Sequence, residues 1–118
     1  MSIRQSGEDY LEAIYVLSEK GGVHAVDIAN RLNFSKPSVT RAMKILKENG
    51  YITVDFENHI KLTETGEKKA RQIFERHDVI SKFLMQNGVC RETALNDACL
   101  MEHGVSEESF AVFKRLVK

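Results

Sequence analysis

The spacing of apolar residues predicts a mainly α-helical protein with one small β-hairpin. Tyr10, Ile14 and Leu17 recur at the three- and four-residue intervals of a helix, and similar stripes follow along the chain. Val26 and Phe74 are predicted to lie on the inward stripes of their helices. The predicted helices cover about residues 6 to 19, 25 to 32, 36 to 48, 64 to 87, 91 to 103 and 107 to 117.

Two short β-prone segments lie between the third and fourth helices. Residues 51 to 54 and Ile60–Leu62 are rich in β-branched and aromatic side chains, and a mainly polar tip at residues 55 to 58 separates them. This pattern predicts an antiparallel hairpin. Val23 and His24 are expected to form a further short strand or bridge.

Local turn and capping signals support the same division. Asn33 stands between the second and third helices, where a tight turn needs a residue that tolerates positive φ. Ser35 and Ser106 are predicted to cap the third and sixth helices, and Gly50 to end the third helix in a left-handed conformation.

The order helix, helix, tight turn, helix, hairpin is that of a winged helix-turn-helix. We therefore predict an N-terminal winged helix-turn-helix domain at residues 1–63 with a small hairpin wing. A helical metal-binding and dimerisation domain is predicted at residues 64–118, beginning with a long linking helix at about 64–87.

Composition excludes several classes of protein. The 118 residues are 42% hydrophobic and 29% charged, with a net charge of zero, as in an ordinary globular protein. No apolar run approaches the roughly 20 residues that cross a bilayer, and the N-terminus does not resemble a secretory signal. We therefore expect a cytoplasmic protein without a membrane partner, in which Cys90 and Cys99 are reduced.

Positive charge is concentrated on the third helix. Residues 36 to 49 hold four basic residues against one acidic residue, a local charge of +3. Charge alone would also suit a solvated helix face, or a winged helix that binds protein, but short hydroxyls at a helix N-terminus allow close approach to phosphates. Arg41 is long enough to reach a guanine edge. The predicted contacts to double-stranded DNA are Ser35, Lys36, Pro37, Ser38, Thr40, Arg41 and Lys44.

The second half of the chain carries candidate metal ligands. Cys99, Glu102 and His103 stand at i, i+3 and i+4 of the fifth predicted helix, which places them on an arc of roughly 100°. Asp9 and Glu12 form an i, i+3 carboxylate pair on the first helix. His77 lies on the apolar stripe of the fourth. Each of these residues taken singly has a structural explanation, but polar groups on inward faces need partners, and a metal ion provides them.

These features resemble the diphtheria toxin repressor and manganese transport regulator family of metal-dependent repressors, in a short form without the SH3-like domain. The resemblance covers nearly the whole chain. It rests on the segments EDYLEAIY (8–15), KPSVTRAMKIL (36–46), LTETG (62–66), RH (76–77) and NDACLMEH (96–103).

The resemblance implies a homodimer that binds operator DNA when Fe²⁺ or Mn²⁺ is bound and represses metal-uptake genes. The positions that match the family's metal ligands are Asp9, Glu12, His77, Cys99, Glu102 and His103. Cys99 resembles the iron branch of the family, whereas Asp9, Glu12 and His77 resemble the manganese branch. Because a thiolate suits Fe²⁺ better than Mn²⁺, we predict Fe²⁺ first and Mn²⁺ second, with Zn²⁺, Co²⁺ and Ni²⁺ binding in vitro.

Pairing is predicted through the fifth and sixth helices, because the sixth carries apolar residues that a short chain covers poorly. The predicted interface residues are Phe110, Phe113, Leu116 and Val117. Metal bound by residues of both halves is expected to favour the arrangement that binds DNA. The alternatives are a constitutive winged-helix factor, a redox sensor using Cys99 or Cys90, and a metallohydrolase. The last lacks an evident cleft, so we predict that the protein is not an enzyme.

Overall fold

The computed structural model describes residues 5–118. Within this part of the chain it contains six α-helices and one two-stranded antiparallel sheet, which confirms the predicted fold class. The elements are α1 (Gln5–Ser18), α2 (Ala25–Leu32), α3 (Lys36–Glu48), β1 (Ile52–Val54), β2 (Ile60–Leu62), α4 (Glu64–Gln86), α5 (Arg91–Met101) and α6 (Glu107–Leu116). None of the described helices is long and apolar enough to span a membrane.

The chain divides into two compact units, the first ending at Arg71 and the second comprising Gln72–Lys118. In the first unit, α1, α2, α3 and both strands contribute to a common apolar core. Its fully buried side chains include Leu11, Ile14, Val23, Ile28, Val39, Leu46 and Ile52. Burial of one such side chain stabilises the fold by about 1.5–3 kcal/mol, so this core fixes α3 against α1 and α2.

The turn between α2 and α3 follows the prediction closely. Asn33 has φ 58° and ψ 43°, in the left-handed region, and the Ser35 hydroxyl accepts a hydrogen bond from the Ser38 N–H at 3.3 Å. Phe34, which follows Asn33, packs edge-on against the Tyr10 ring with centroids 5.6 Å apart. This contact holds the start of α3 close to α1.

The hairpin is the predicted wing. Ile52 pairs with Leu62, Thr53 with Lys61 and Val54 with Ile60, and a bridge joins Val23 to Ile60 as expected.

The tip of this wing is ordered by one side chain. The Asp55 carboxylate accepts hydrogen bonds from the Glu57 and His59 N–H groups, both at 2.9 Å. The bond from the His59 backbone is the main cause of the lowered pKa of Asp55; desolvation opposes it, and the bond from Glu57 lowers the pKa further.

The start of α4 is attached to the first unit. The Thr63 hydroxyl donates to Gly50 O at 2.6 Å and accepts from the Gly66 N–H at 3.1 Å, while Thr63 N–H donates to Tyr51 O at 3.0 Å. Ala70 is buried in the first core. The opening turns of α4 therefore pack with the first unit, whereas the boundary drawn from sequence precedes the helix.

The second unit is formed by the rest of α4 with α5 and α6. Ile80, Ala94 and Ala98 are fully buried, and the rings of Phe83 and Phe113 meet edge-on at 5.1 Å. The Ser106 hydroxyl caps α6 by accepting from the Ser109 N–H at 3.1 Å, as predicted.

Three local predictions were wrong. Helix α5 ends at Met101 instead of residue 103: Glu102 is its C-cap, and the Gly104 and Val105 N–H groups both bond to Met101 O at 3.1 Å in the turn that follows. Val26 is 41% exposed because it lies in the first turn of α2, where Ile28 takes the buried position. Phe74 is 39% exposed because its neighbour Ile73 fills the core.

Candidate metal centre and DNA-binding surface

The turn after α5 carries a buried carboxylate. Glu102 caps the helix, its N–H bonding to Ala98 O at 2.9 Å, and its side chain is 0% exposed. Ala94, Ala98 and Glu102 follow each other at intervals of four residues and are all buried, so Glu102 continues the inward stripe of α5.

Two imidazoles flank this carboxylate. His77 Nδ1 lies 3.0 Å from Glu102 Oε2, and His103 Nε2 lies 3.2 Å from Glu102 Oε1. The His103 side chain is only 5% exposed. Within the described part of the chain, Oε1 is buried and takes part in no hydrogen bond, so the 3.2 Å contact with His103 is a close approach without hydrogen-bond geometry.

A buried carboxylate oxygen without a hydrogen bond is costly, because burial removes it from water and leaves its negative charge incompletely compensated. Imidazole nitrogens and carboxylate oxygens are ligands of Fe²⁺, Mn²⁺ and Zn²⁺. The Glu102 carboxylate and the imidazoles beside it are therefore groups of the kind that bind a divalent metal ion.

The other predicted ligands are distributed as follows. Asp9 and Glu12 lie one turn apart on α1, and both are half-buried. Cys99 lies on the exposed side of α5 and is not in a disulfide. Their roles as ligands stay predictions.

Cys90 occupies the N-cap of α5. Its Sγ lies 3.2 Å from Thr93 Oγ1, and the hydrogen bond to that hydroxyl is the main cause of its lowered pKa. Cys90 is also exposed, so of the two cysteines it has the features of a reactive thiol.

The exposed face of α3 carries the predicted DNA contacts. Val39, Met43 and Leu46 turn into the core, and the opposite face is open to solvent. Ser38 is half-buried, its hydroxyl accepting from Ser35 at 2.9 Å. The remaining predicted contacts are exposed: Ser35, Lys36, Pro37, Thr40, Arg41 and Lys44.

The wing differs in character from α3. Phe56 at its tip is 94% exposed and stands between Asp55 and Glu57, so the tip presents two acidic residues. Such a tip is repelled by phosphates, and α3 is the stronger candidate for DNA contact.

Some of the predicted dimer residues make contacts within the second unit. Phe110 is half-buried with the Arg76 guanidinium 5.2 Å above its ring, and Phe113 is half-buried against Phe83. Leu116 remains 52% exposed and Val117 half-buried. Of the four predicted interface residues, Leu116 is thus the one that α6 leaves most exposed.

Arg76 was not identified from sequence. Its Nη1 donates to Glu102 O at 3.3 Å and also to Val105 O. The pair Arg76-His77 was noted in the sequence, but nothing there indicates a contact with a turn 26 residues later.

Comparisons with known proteins agree with this geometry. Residues 3–60 match the family model of the iron dependent repressor N-terminal DNA binding domain, and residues 63–118 match that of its metal binding and dimerisation domain. The chain is 39% identical over 112 residues to the transcriptional regulator MntR of Escherichia coli O6:H1, covering 94% of this chain and 72% of the relative. It is 34% identical over 114 residues to the HTH-type transcriptional regulator MntR of Lysinibacillus sphaericus, covering 96% and 82%.

Solved structures show the same fold. The structure of the manganese regulator SloR has a TM-score of 0.82 at 27% identity and covers 98% of this chain and 54% of its own. ScaR with bound Zn²⁺ has a TM-score of 0.80 at 29% identity and covers 93% and 52%. This chain thus spans about half the length of those two solved chains. The curated relatives are transcriptional regulators, in agreement with the prediction that the protein is not an enzyme. The chain therefore belongs to the iron-dependent repressor family of metal-dependent transcriptional regulators.

Proposed function

We propose that this protein binds operator DNA as a homodimer in response to Fe²⁺ or Mn²⁺ and represses genes of metal uptake or homeostasis. The observation that carries the proposal is the buried Glu102 carboxylate, which is flanked by two imidazoles. Within the described part of the chain, one of its two oxygens accepts no hydrogen bond. A divalent cation bound there supplies the positive charge that this carboxylate lacks.

The proposed ligands differ in their support. His77, Glu102 and His103 are supported by the short distances from each imidazole to the Glu102 carboxylate. Asp9, Glu12 and Cys99 rest on their spacing in sequence and on the resemblance to the family. Substitution of the first three is therefore expected to abolish the metal response, while substitution of the others tests the predicted extension of the site.

The identity of the metal depends on Cys99. A thiolate ligand favours Fe²⁺, as predicted, but the thiol is exposed and the related SloR is a manganese regulator. We propose that either ion activates and that Cys99→Glu shifts the response toward Mn²⁺. Anaerobic DNA-binding titrations against each free metal concentration measure this shift, and identical responses of the two proteins exclude Cys99 from the site.

DNA recognition is assigned to α3. Arg41→Ala should weaken operator binding by about 1–3 kcal/mol and relax base preference at one position if Arg41 reads a guanine. Lys44→Ala should weaken all sequences alike and lower the salt dependence, because a phosphate contact carries no sequence information. A preferred sequence and affinity unchanged by Arg41→Ala would contradict this assignment.

The central experiment is operator retention measured in chelator and in saturating Fe²⁺ or Mn²⁺, in wild type and Glu102→Gln. The substitution preserves the shape of the side chain but removes its charge, so it should abolish metal activation. Glu92→Gln, which removes an exposed carboxylate from the same helix, is the matched control and should respond like wild type. Equal wild-type affinity with and without metal would leave a constitutive DNA-binding protein.

The homodimer is supported by apolar residues that remain exposed on α5 and α6. Leu100 is 69% exposed, Val112 41% and Leu116 52%. Leu116→Glu should therefore weaken pairing, measured as sedimentation-derived mass against protein concentration. A strict monomer for wild type with metal present would refute the dimer.

A thiol-redox regulator is the second candidate, and the position of Cys90 at the N-cap of α5 favours it over one based on Cys99. This function requires operator affinity to change with oxidant at constant metal and to lose that change in Cys90→Ser. Operator affinity that does not change with oxidant, or a change that persists in Cys90→Ser, would exclude it.

A further inference from the structure

The turn from α5 to α6 is held by a side chain of α4. Arg76 Nη1 donates to Glu102 O at 3.3 Å and also to Val105 O, so one guanidinium nitrogen joins two carbonyls three residues apart. The guanidinium carbon stands 5.2 Å above the Phe110 ring on α6. Arg76 thus contacts both ends of this turn and the helix that follows it.

The turn needs such a donor. The last carbonyls of a helix have no partner within the helix, and the C-terminus of α5 carries partial negative charge. Met101 O is already bonded by the N–H groups of Gly104 and Val105. The Arg76 guanidinium bonds the Glu102 and Val105 carbonyls and places a fixed positive charge at the negative end of the helix.

The same stretch of α4 contacts both ends of Glu102. Arg76 bonds its backbone carbonyl, and the next residue, His77, lies 3.0 Å from its carboxylate. The backbone position of Glu102 sets where its carboxylate and the following His103 ring are presented. An error of a few tenths of an ångström in this turn therefore displaces two of the three clustered donor groups together.

We propose that Arg76 is a positioning residue for the metal centre, fixing the backbone of Glu102 so that Glu102 and His103 are aligned before metal binds. This inference rests on the proposed metal-binding function. Residues that orient metal ligands typically contribute 10–100-fold in metal affinity, and we expect Arg76→Gln to weaken Mn²⁺ binding by that factor although all proposed ligands remain.

The Arg76→Lys variant distinguishes a positioning role of Arg76 from a general structural role. A lysine keeps the charge and one donor direction but loses the planar fork and its stacking on Phe110, so it should recover part of the affinity. Phe110→Leu keeps an apolar contact and removes the aromatic face, and should weaken binding less than Arg76→Gln. Arg91→Gln, at the opposite end of α5, is the matched control and should bind Mn²⁺ like wild type.

The measurements are calorimetric titration with Mn²⁺ and hydrogen exchange of the Glu102 and Val105 amides in metal-free protein. The proposal predicts weaker binding and faster exchange in Arg76→Gln, and partial recovery of both in Arg76→Lys. If Arg76→Gln does not fold, the same comparison is made between Arg76→Lys, Phe110→Leu and wild type.

The possible failures are distinguishable. If Arg76→Gln binds Mn²⁺ as tightly as wild type, this inference is overturned and the proposed function stands. The same conclusion follows if Arg76→Gln is unfolded and Arg76→Lys and Phe110→Leu both bind Mn²⁺ as tightly as wild type. Weaker binding without faster amide exchange overturns the mechanism by which Arg76 acts. A wild-type protein that binds no metal overturns the proposed function and this inference with it.

Discussion

Replacement of Gly66 by alanine tests how the start of α4 packs in the first unit, the winged-helix unit. Gly66 is buried in the first turn of α4, facing the backbone of Tyr51. A Cβ at this position would overlap the Tyr51 carbonyl oxygen and lie 2.9 Å from its carbon. The obstacle is backbone and not the end of a flexible side chain, so it cannot move aside by changing rotamer.

The expected cost follows from what must shift. Tyr51 O accepts the Thr63 N–H at 3.0 Å, and Thr63 in turn bonds Gly50 O and the Gly66 N–H. Moving the helix away to admit a methyl group therefore weakens a connected set of hydrogen bonds as well as the packing. Overpacking typically costs about 1–3 kcal/mol, and we expect the upper part of that range. At roughly 3–6 °C per kcal/mol for a chain of this size, Tm should fall by on the order of 10 °C.

The assay is thermal and urea unfolding of metal-free protein at one protein concentration, because metal and dimerisation both shift apparent stability. Gly104→Ala is the control, since a Cβ there meets nothing within 4 Å and its φ is not in the left-handed region. That substitution should leave stability within about 1 kcal/mol of wild type, or raise it slightly. If Gly66→Ala proves as stable as Gly104→Ala, the close packing of α4 on Tyr51 is wrong.

Three further predictions concern local groups. Ser35→Ala removes the cap of α3 and should lower the free energy of unfolding by about 1 kcal/mol, measured by urea titration; no loss would contradict the cap. Asp55 has a lowered pKa in the folded state, mainly because its carboxylate accepts a hydrogen bond from the His59 N–H. Its negative charge therefore stabilises the fold above the unfolded pKa of about 3.9, and this contribution is lost as the pH falls through the folded pKa. The stability gap between wild type and Asp55→Asn should accordingly narrow from pH 7 to pH 3, and a constant gap would refute the assignment. Cys90 should react with iodoacetamide with a pH midpoint below that of an ordinary thiol, and Thr93→Ala should raise this midpoint; an unchanged midpoint would exclude the Thr93 hydroxyl as the cause.

The winged-helix unit was predictable because its decisive signals are local. Asn33 is one of the few residue types that tolerate φ 58°, and Ser35 caps the helix that follows it immediately. The hairpin strands are separated by a short polar tip, so their pairing needed no long-range information. Burial of Val39 and Leu46 follows from helical spacing alone.

The second unit was less predictable because its specific contacts join distant positions. Phe110 and Phe113 have the spacing of an exposed dimer face, yet Arg76 and Phe83 of α4 cover part of both rings. Hydrophobic periodicity shows that a helix has an apolar face. It does not show which partner covers that face, and an arginine or a phenylalanine some 30 residues away leaves no signal in the pattern.

The cluster of His77, Glu102 and His103 shows what helical spacing leaves unexplained. On one continuous helix, His103 would stand 100° beyond Glu102, at about 140° from the buried Ala98 and near the exposed Cys99. Its ring is instead 5% exposed and close to the Glu102 carboxylate. Glu102 keeps helical angles at the end of α5, φ −59° and ψ −26°, and His103 lies in the turn that follows, so helical spacing alone does not account for its burial. We therefore expect the contacts that hold this turn, above all those of Arg76, to affect metal affinity as well as the spacing of the proposed ligands.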